Sequence, residues 1–519
     1  MKFPIGIQTF EKIITECYAY VDKTALVYQL VTSGSSYCFL SRPRRFGKSL
    51  LITTLESYFS GKKDLFKGLA IEKLEKDWIE YPVLHLDLNT GAYNTEDGLK
   101  NQLNDTLCEW EQIYGSKPSE NELQLRFKGI IQRAYEKTGK RVVILVDEYD
   151  KPLISTFDNP YLQNLYRAQL KAFYSVLKTM DGCIKFALLT GVTKFSKVSI
   201  FSDLNNLKDI SMDDRYVLLC GMTCEEIAST FDEEVGKMSD KHGITKEECY
   251  AKLKQMYDGY HFCENTEGIY NPFSVVNALD EKKFKNYWFE TGTPTMLVQV
   301  MKACKFNLND LQGKKETANL LGSIDSIDRT PIPLFYQTGY LTIAGYDARY
   351  GKYVLDFPNK EVEQSFVNYL ADYYQKNPMD SEFAVENFVG DLESGDIQRF
   401  MERMQAFFSG NDYRIAGDME LYFQNAVFIL MKLIGFYVEA EKATSSGRAD
   451  LQFKTADNIY IIEIKLNGTA EEAIQQIKEK KYAEPYKLDS RKKTLIGVNF
   501  STEKRTIDNW VIEEAKELI

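Results

Sequence analysis

A run of five consecutive aliphatic residues, Val142 to Val146, ends in two acidic residues, Asp147 and Glu148. A strand with one face in solvent alternates apolar and polar residues, whereas a continuous aliphatic run indicates a strand buried on both faces. Such strands occur in parallel sheets that helices cover on both sides. The run therefore predicts a parallel α/β sheet.

Three further apolar runs predict neighbouring strands of the same sheet. They are Ser36–Ser41, Tyr81–Leu88 and Ile184–Leu189. Helical periodicity follows the first run, where Leu51, Leu55 and Tyr58 recur on one side. Strands that alternate with helices in this way build a doubly wound α/β core.

The length of the chain indicates several domains. There are 519 residues, and at roughly 150 residues per domain one core cannot cover them. We predict an α/β core over residues 1–220, a mostly helical region over 221–405 and a small α/β unit over 406–519, with a turn cluster at 409–412 near the last boundary.

The helical region contains a predicted hairpin that turns near Tyr350 and Gly351. A helix followed by a hairpin is typical of a winged-helix element, and a plain helical subdomain with one hairpin is the alternative. The last unit is predicted from an apolar helix at 420–433, strands at 438–440, 449–454, 459–465 and 494–499, and a helix at 471–481.

A candidate phosphate-binding loop follows the first apolar run and precedes a helix. Its residues are Arg42, Pro43, Arg44, Arg45, Phe46, Gly47, Lys48 and Ser49. Backbone N–H groups at a helix N-terminus bind phosphate, Lys48 supplies a positive charge to the β- and γ-phosphates, and the Ser49 hydroxyl suits Mg²⁺. Arg42 stands where the consensus has glycine, which weakens the match when the motif is taken alone.

The acidic pair after the aliphatic run supports a nucleotide site. Asp147 at the end of a buried strand can hold Mg²⁺, and Glu148 can polarise an attacking water. Parallel sheets bind ligands at this edge, although solvated strand-cap residues are the alternative. Thr193 ends the next strand, where it could contact the γ-phosphate or be an ordinary strand end.

A second candidate site lies near the C-terminus. Glu463 and Lys465 are two residues apart on a predicted strand, so they project from the same face, and Asp450 lies on the partner strand. Metal-dependent phosphodiester cleavage needs carboxylates that hold Mg²⁺ and a group that positions water. A solvated strand face with a weak ion pair is the alternative.

Six motifs make the chain resemble bacterial proteins with a divergent AAA-like ATPase region and a C-terminal PD-(D/E)XK nuclease-like domain. They are Tyr20–Thr24, Arg42–Ser49, Val146–Asp150, Asp258–Phe262, Tyr270–Phe273 and Tyr336–Leu341. The Arg-rich loop is typical of this family, so the departure at Arg42 supports the resemblance. Asp22 and Lys23 resemble signature residues, and a contact at a helix start is the structural alternative for them.

The resemblance implies roles for the C-terminal residues. Asp450 and Glu463 would be metal ligands, and Lys465 would orient water or stabilise charge. Gln476 would support the site from the following helix. Glu420, at the start of the preceding helix, corresponds to the place where related domains carry another metal-site acid. The implied cofactors are ATP and Mg²⁺.

Charge limits the kind of partner. The formal net charge is −11, which argues against broad, sequence-independent coating of nucleic acid. Residues 441–519, however, carry 14 Lys and Arg against 14 Asp and Glu, which leaves room for a local, metal-dependent site. We expect a nucleic-acid partner, with DNA favoured over RNA, and leave homo-oligomer formation open.

These features predict an ATP-binding, and hydrolysing, regulator fused to a metal-dependent nuclease that the nucleotide state gates. The alternative is a signalling or interaction ATPase whose last domain binds nucleic acid without cleaving it. A metabolic kinase would leave the C-terminal cluster unexplained. Irregularly spaced cysteines and the shortness of the longest apolar stretch, Ala426–Phe436, lead us to expect a cytoplasmic protein without a membrane segment.

Overall fold

The computed structural model describes residues 1–195, 206–289, 295–322, 324, 330–374, 385–410, 419–442 and 450–515. The chain divides into two compact units. The first comprises Met1–Leu297 and Gln312–Val362, and the second comprises Val298–Leu311 and Glu363–Ile519. The second unit is therefore discontinuous in sequence. The predicted boundaries after residues 220 and 405 stay predictions.

A five-stranded parallel sheet forms the centre of the first unit. Its strands are β1 (Tyr37–Ser41), β2 (Val83–Asp87), β3 (Val142–Asp147), β4 (Ile184–Gly191) and β5 (Lys208–Asp209), in the order β2-β3-β4-β1-β5. Every residue of β3 is buried, as its uninterrupted aliphatic sequence requires. The four strands predicted from apolar runs are confirmed, and the doubly wound α/β core with them.

Eight helices accompany this sheet in the described part of residues 1–195. They are α1 (Phe10–Thr15), α2 (Thr24–Thr32), α3 (Lys48–Phe59), α4 (Ala70–Leu74), α5 (Gly98–Tyr114), α6 (Leu123–Thr138), α7 (Lys151–Ser155) and α8 (Pro160–Thr179). Helix α8 begins at Pro160, and the side chain of Asn159 caps it by accepting a hydrogen bond from the backbone N–H of Leu162.

The middle of the chain is mostly helical, as predicted. Its helices are α9 (Cys224–His242), α10 (Lys246–Tyr257), α11 (Pro272–Glu281), α12 (Thr295–Ala303), α13 (Ala318–Leu321), α14 (Ile332–Thr338) and α15 (Lys360–Tyr374). Capping boxes start α9 and α10, and Asn271 caps α11. A buried cluster that includes Phe231, Leu253 and Val275 joins these three helices.

A small antiparallel sheet follows in the first unit, in the order β6-β8-β7. Its strands are β6 (Lys314–Thr317), β7 (Thr342–Asp347) and β8 (Lys352–Asp356). The predicted hairpin is therefore present, with α14 before it, in the order that a winged helix has.

The second unit is built on a five-stranded mixed sheet in the order β13-β12-β11-β10-β9. Its strands are β9 (Glu439–Lys442), β10 (Leu451–Lys454), β11 (Asn458–Leu466), β12 (Lys492–Ser501) and β13 (Thr506–Glu514). Strands β11 and β12 are parallel, and the other neighbours are antiparallel.

Four helices belong to the second unit's C-terminal part. They are α16 (Val385–Ser394), α17 (Ile397–Gly410), α18 (Met419–Gly435) and α19 (Ala470–Glu479). Helix α19 packs on one face of β11 and β12 through Ile474 and Ile477. In the predicted turn cluster at 409–412, Ser409 and Gly410 end α17, and residues 411 and 412 lie outside the described residues. Among the described helices, none is long and apolar enough to cross a membrane.

Candidate functional site

The loop from β1 to α3 turns tightly at Gly47. Its φ of 95° lies in the left-handed region, and an added Cβ would meet nothing within 4 Å. Backbone conformation, rather than crowding, therefore favours glycine here. Arg45 also has a positive φ, of 67°. The two left-handed residues curl the chain just before the N-terminus of α3, where backbone N–H groups favour anions.

The ammonium group of Lys48 is turned into this loop. The side chain is only 4 % exposed, and its Nζ donates to the carbonyl oxygens of Arg42 at 3.2 Å and Pro43 at 3.4 Å. The same Nζ lies 3.6 Å from Glu148 Oε1. One cation thus connects the loop after β1 with the acidic end of β3.

The carboxylate of Asp147 is held at the end of β3. Its Oδ1 accepts hydrogen bonds from the hydroxyl of Thr190 at 2.7 Å and from the backbone N–H of Glu148 at 3.0 Å. Glu148 itself has a φ of 52°, an unfavourable conformation for a non-glycine residue that is often found at functional sites.

Asp87 is an acid that our sequence reasoning missed. It ends β2 directly beside Asp147 in the parallel register. Burial, together with the negative charges of Asp147 and Glu148, raises the pKa of Asp87. The sequence could have indicated Asp87, because this residue lies at the end of a predicted strand, and parallel sheets bind ligands at that edge.

A cleft of about 480 Å³ connects these groups. Arg44, Arg45, Phe46, Gly47, Lys48 and Ser49 line it on the loop side, together with Asp87, Asp147 and Glu148. Other parts of its wall come from the N-terminal segment, such as Gln8 and Tyr20, and from α11, such as Phe273 and Asn277. The cleft is thus bounded both by the sheet edge and by a helix of the mostly helical region.

Two predicted loop residues, Arg42 and Pro43, are not among the residues that line this cleft. The guanidinium of Arg42 is 1 % exposed and donates to the carbonyl oxygens of Ser41 at 2.9 Å and Ser211 at 2.7 Å. It also stacks on the ring of Phe262, 4.0 Å from its centroid. Burial lowers the pKa of Arg42. The arginine that replaces the consensus glycine thus has structural contacts.

Thr193 is fully buried and its hydroxyl donates to Asp150 Oδ2 at 2.6 Å. The backbone N–H groups of Val192 and Thr193 donate to the same carboxylate. Burial and the charge of Glu148 raise the pKa of Asp150 to about 6. The structure therefore joins Thr193 to Asp150 rather than to the cleft, and its contact with the γ-phosphate stays a prediction.

Residues of the motifs Asp258–Phe262 and Tyr336–Leu341, together with Trp288, pack around the candidate phosphate-binding loop. Phe46 makes edge contacts with the rings of Tyr260 and Phe262, and the indole N–H of Trp288 donates to the carbonyl oxygen of Arg44 at 3.1 Å. A Cβ at Gly339 would lie 2.7 Å from Pro43. These motifs, far apart in sequence, thus form the support of one loop.

The Asp22-Lys23 motif joins separate elements. Asp22 accepts hydrogen bonds from the backbone N–H groups of Thr24 at the start of α2 and Ala70 at the start of α4. Lys23 Nζ lies 2.6 Å from both carboxylate oxygens of Glu226, which also closes the capping box of α9. The helix-start contact considered for this motif is present for Asp22.

The second candidate site lies on the face of β11 that α19 covers. Ile459 and Ile461 pack against α19, and Glu463 and Lys465 continue the same face along the strand. Asp450, just before β10, accepts a hydrogen bond from the backbone N–H of Ile464 at 2.9 Å. The structure therefore brings Asp450 to the strand that carries the other two residues.

Gln476 on α19 connects the carboxylate to the lysine. Its amide nitrogen donates to Glu463 Oε1, and its amide oxygen accepts from Lys465 Nζ. Lys465 Nζ also lies 3.6 Å from Glu463 Oε1. The amide nitrogen additionally lies 3.5 Å from the hydroxyl of Tyr482. Glu463, Lys465 and Gln476 thus form one polar network, with Asp450 beside it.

One oxygen of this network has no hydrogen-bond partner among the residues that the structure describes. Glu463 is buried, and its Oε2 accepts no hydrogen bond from the described residues. Burial and the neighbouring charge of Asp450 raise the pKa of Glu463 to about 7. A buried carboxylate that lacks a donor and lies beside a second carboxylate fits a divalent cation, because the cation would supply the missing positive partner.

Glu420 is exposed in the first turn of α18, where its Oε1 accepts a hydrogen bond from Gln424 at 3.3 Å. Among the described residues, no three His, Cys, Asp or Glu side chains form a group that could hold a metal. The structure therefore does not gather Glu420 with Asp450 and Glu463. Its part in metal binding stays a prediction.

Comparison with known proteins agrees with the two regions that carry these candidate sites. The family model described as predicted AAA-ATPase matches residues 4–201, and that of the PD-(D/E)XK nuclease superfamily matches residues 418–510. A protein of Azotobacter chroococcum mcd 1, described as "Uncharacterized protein in vnfD 5'region", is 36 % identical over 524 residues, which cover 99 % of each chain.

Proposed function

Because the chain belongs to a family that joins a predicted AAA-ATPase region to a PD-(D/E)XK nuclease superfamily region, we propose that it cleaves nucleic acid in a metal-dependent reaction that ATP controls. The observation that carries the proposal is the network of Asp450, Glu463, Lys465 and Gln476. A strand face with a merely solvated ion pair would not bury Glu463 with an unpartnered oxygen.

Asp450 and Glu463 are the residues that would hold Mg²⁺ in the second unit. A bound Mg²⁺ would offset phosphate charge and lower the pKa of water that attacks phosphorus. Lys465 has its charge beside Glu463 and can orient that water or stabilise charge on a phosphate oxygen. Gln476 keeps the lysine and the carboxylate in one orientation through its two hydrogen bonds.

The cleft of the first unit would hold ATP with Mg²⁺. Its phosphates would lie against Gly47, Lys48 and Ser49 at the start of α3. In the described structure, Lys48 Nζ contacts loop carbonyl oxygens and Glu148, and a phosphate is a stronger partner for it than a carbonyl oxygen. Glu148 would then be available to polarise an attacking water.

Control by the nucleotide would begin in the helical region. Phe273 and Asn277 of α11 line the same cleft as the phosphate loop. A ligand that contacts both sides of the cleft binds more tightly when α11 lies in some positions than in others. Only such a difference in affinity can shift the equilibrium between positions of α11. ATP would thus be the controlling ligand, and its hydrolysis would end the effect.

The test is a cleavage assay on the purified full chain with labelled single- and double-stranded DNA and RNA. We expect product with Mg²⁺ or Mn²⁺ and none with EDTA. Asp450→Ala and Lys465→Ala should each lower the rate by at least about 100-fold. Asp457→Ala is the matched control, because Asp457 is an exposed acid in the turn between β10 and β11, and it should cleave like the wild type.

Equal cleavage by the wild type and both site variants would indicate a contaminating nuclease and refute the proposal. Binding of nucleic acid without any product would favour the alternative, an interaction ATPase with a binding module. Lys48→Ala should abolish ATP binding and remove the effect of ATP on cleavage. If ATP alters cleavage by Lys48→Ala as it does in the wild type, the proposed control is wrong.

A further inference from the structure

The segment between α19 and β12 is strongly basic. Residues 478–493 carry seven Lys and Arg against three Asp and Glu, in a chain whose net charge is −11. Some of these cations are neutralised: Lys478 pairs with Glu513 at 2.6 Å, and Lys492 with Glu514 at 2.5 Å. Arg491 pairs with Asp489 at 2.7 Å.

Three cations of the segment have no such partner in the described part of the chain. Lys480, Lys481 and Lys487 are exposed, and none of them makes an ion pair or side-chain hydrogen bond with the described residues. We call residues 480–488, which contain all three, the lysine loop. Cations that are not paired within the protein can bind an external polyanion without first breaking an ion pair.

The lysine loop is attached beside the second candidate site. Near its start, the hydroxyl of Tyr482 lies 3.5 Å from the amide nitrogen of Gln476. Further along, the hydroxyl of Tyr486 donates to Gln452 Oε1 at 2.6 Å. Gln452 is paired in register with Ile461 on β11.

This register fixes the face on which the loop lies. Ile461 shares its strand face with Glu463, and Gln452 lies two residues after Asp450, so Tyr486 contacts the face that carries both carboxylates. Gln452 is two residues from Asp450, a distance of about 7 Å along a strand. This distance corresponds to one or two nucleotides of a bound strand.

Leu488 ends the lysine loop and is 99 % exposed. A single exposed leucine needs no special explanation. Here, however, it directly follows Lys487 and lies two residues after Tyr486, whose position beside Gln452 is fixed. Proteins that bend or open nucleic acid commonly place such an apolar side chain between bases, next to cations that hold the backbone.

We propose that the lysine loop binds the backbone of the substrate strand next to the bond that is cut, and that Leu488 contacts its bases. The inference rests on the proposed function, because it assumes that nucleic acid reaches Asp450 and Glu463. Asp450 and Glu463 are acidic, and their negative charge repels phosphate until a metal is bound. Lys480, Lys481 and Lys487 supply the attraction that the carboxylates lack.

The first test measures binding, so it does not depend on cleavage. The full chain in EDTA would be titrated into fluorescein-labelled duplex and single-stranded DNA at several KCl concentrations, with anisotropy as the readout. The triple variant Lys480→Ala, Lys481→Ala, Lys487→Ala should bind at least 10-fold more weakly. The slope of log Kd against log salt concentration should fall by about 2 to 3, which is the contribution expected from three lost phosphate contacts.

The matched control is a second triple variant, Lys100→Ala, Lys128→Ala, Lys178→Ala. These lysines are exposed on α5, α6 and α8, so the control removes the same charge elsewhere. It should bind DNA like the wild type. An equal loss of affinity in both triple variants would refute the lysine loop as a binding surface, because only total charge would then matter.

The second test concerns Leu488. A duplex with 2-aminopurine at several positions should become brighter when wild-type protein binds, because unstacked 2-aminopurine fluoresces more strongly. Leu488→Ser should bind with the same salt dependence but without the increase. If Leu488→Ser gives the full increase, Leu488 does not contact the bases.

The outcomes separate the two proposals. If the wild type binds no DNA or RNA at low salt, either in EDTA or with a divalent cation, both the proposed function and the role of the lysine loop are wrong. If the wild type binds and the lysine-loop variant has the same Kd and salt slope, only the inference about the loop is wrong.

Discussion

At the residue scale, Arg42 illustrates how a departure from a consensus acquires a role. Read as sequence, this residue occupies a glycine position of a phosphate loop, and we predicted that it contacts nucleotide. In the structure its guanidinium is buried against Phe262 and donates to carbonyl oxygens of Ser41 and Ser211. The arginine thereby attaches the start of the loop to the segment after β5.

Replacing Arg42 by the consensus residue should therefore harm the protein. Arg42→Gly would leave buried carbonyl oxygens without donors and open a cavity, which should cost roughly 3 kcal/mol or more of unfolding free energy. Urea denaturation measures this change. Arg45→Gly is the matched control: Arg45 is exposed and has a φ of 67° that glycine adopts readily, so its cost should stay below about 1 kcal/mol. Equal stability of Arg42→Gly and the wild type would contradict the structural role.

Glu463 should make the stability of the second unit depend on pH when no metal is bound. Its pKa is raised from 4.5 to about 7 by burial and by Asp450, so the folded chain holds a proton that the unfolded chain releases. Stability therefore falls as the pH rises from about 5 to 7, by roughly 2 kcal/mol. Glu463→Gln should abolish this fall.

Hydrogen exchange of the β11 and β12 amides in EDTA would measure the effect locally. Comparing the wild type with Glu463→Gln at each pH cancels the intrinsic pH dependence of exchange. We expect the protection of the wild type to fall relative to the variant between pH 5 and 7. A constant difference across this range would show that Glu463 ionises at its ordinary pKa.

At the element scale, continuous apolarity decided what could be predicted. β1, β3 and β4 are almost wholly buried, and β2 alternates buried with half-buried residues. All four were readable as apolar runs, and β10 to β12 as strand-like segments. The strands β6 and β13 were missed because Lys314–Thr317 is largely polar and Thr506–Glu514 mixes exposed acids with apolar residues. Sheet pairing, rather than their own side-chain pattern, makes these segments strands.

The sites divide in the same way. Neighbours along one strand, such as Glu463 and Lys465, follow from the two-residue period of a strand. The joint contact of Gln476 with both depends on how α19 packs, and only the family resemblance indicated it. The hydrogen bond from the Thr193 hydroxyl to Asp150 could not be predicted from the sequence, because it depends on the close approach of the ends of β3 and β4.

The pair of Lys23 and Glu226 should couple the start of α2 to the start of α9. The side chains are 12 % and 26 % exposed, so the pair is partly shielded from solvent. A double-mutant cycle with Lys23→Met and Glu226→Gln should give a coupling free energy of about 1 kcal/mol. Glutamine can still close the capping box, which isolates the charge interaction.

Urea denaturation of the four proteins of this cycle supplies the values. The same cycle can be measured for ATP affinity, because Lys23 also lines the cleft. Additive effects of the two substitutions on stability would mean that the ion pair does not connect the two helices energetically.

At the scale of the whole molecule, the chain has two units, each with its own sheet and its own candidate site. ATP with Mg²⁺ should stabilise the first unit only, by about 2.7 kcal/mol at a concentration 100 times its Kd. Calorimetry should therefore show one transition that MgATP raises and one that it does not. Lys48→Ala should remove the shift, and a shift of all transitions together would mean that the chain unfolds as one.

Because the second unit is discontinuous in sequence, it cannot be isolated as one continuous gene fragment. The stretch Val298–Leu311 lies in the middle of the chain but belongs to the second unit, where Leu308 and Phe306 hydrogen-bond to Asn425. A gene fragment that starts at residue 406 would lack this stretch, and a chain cut at residue 362 would carry it without its partners. A transfer of the C-terminal part alone would therefore separate Asn425 from the backbone groups of Phe306 and Leu308, so both segments would have to move together to keep these contacts.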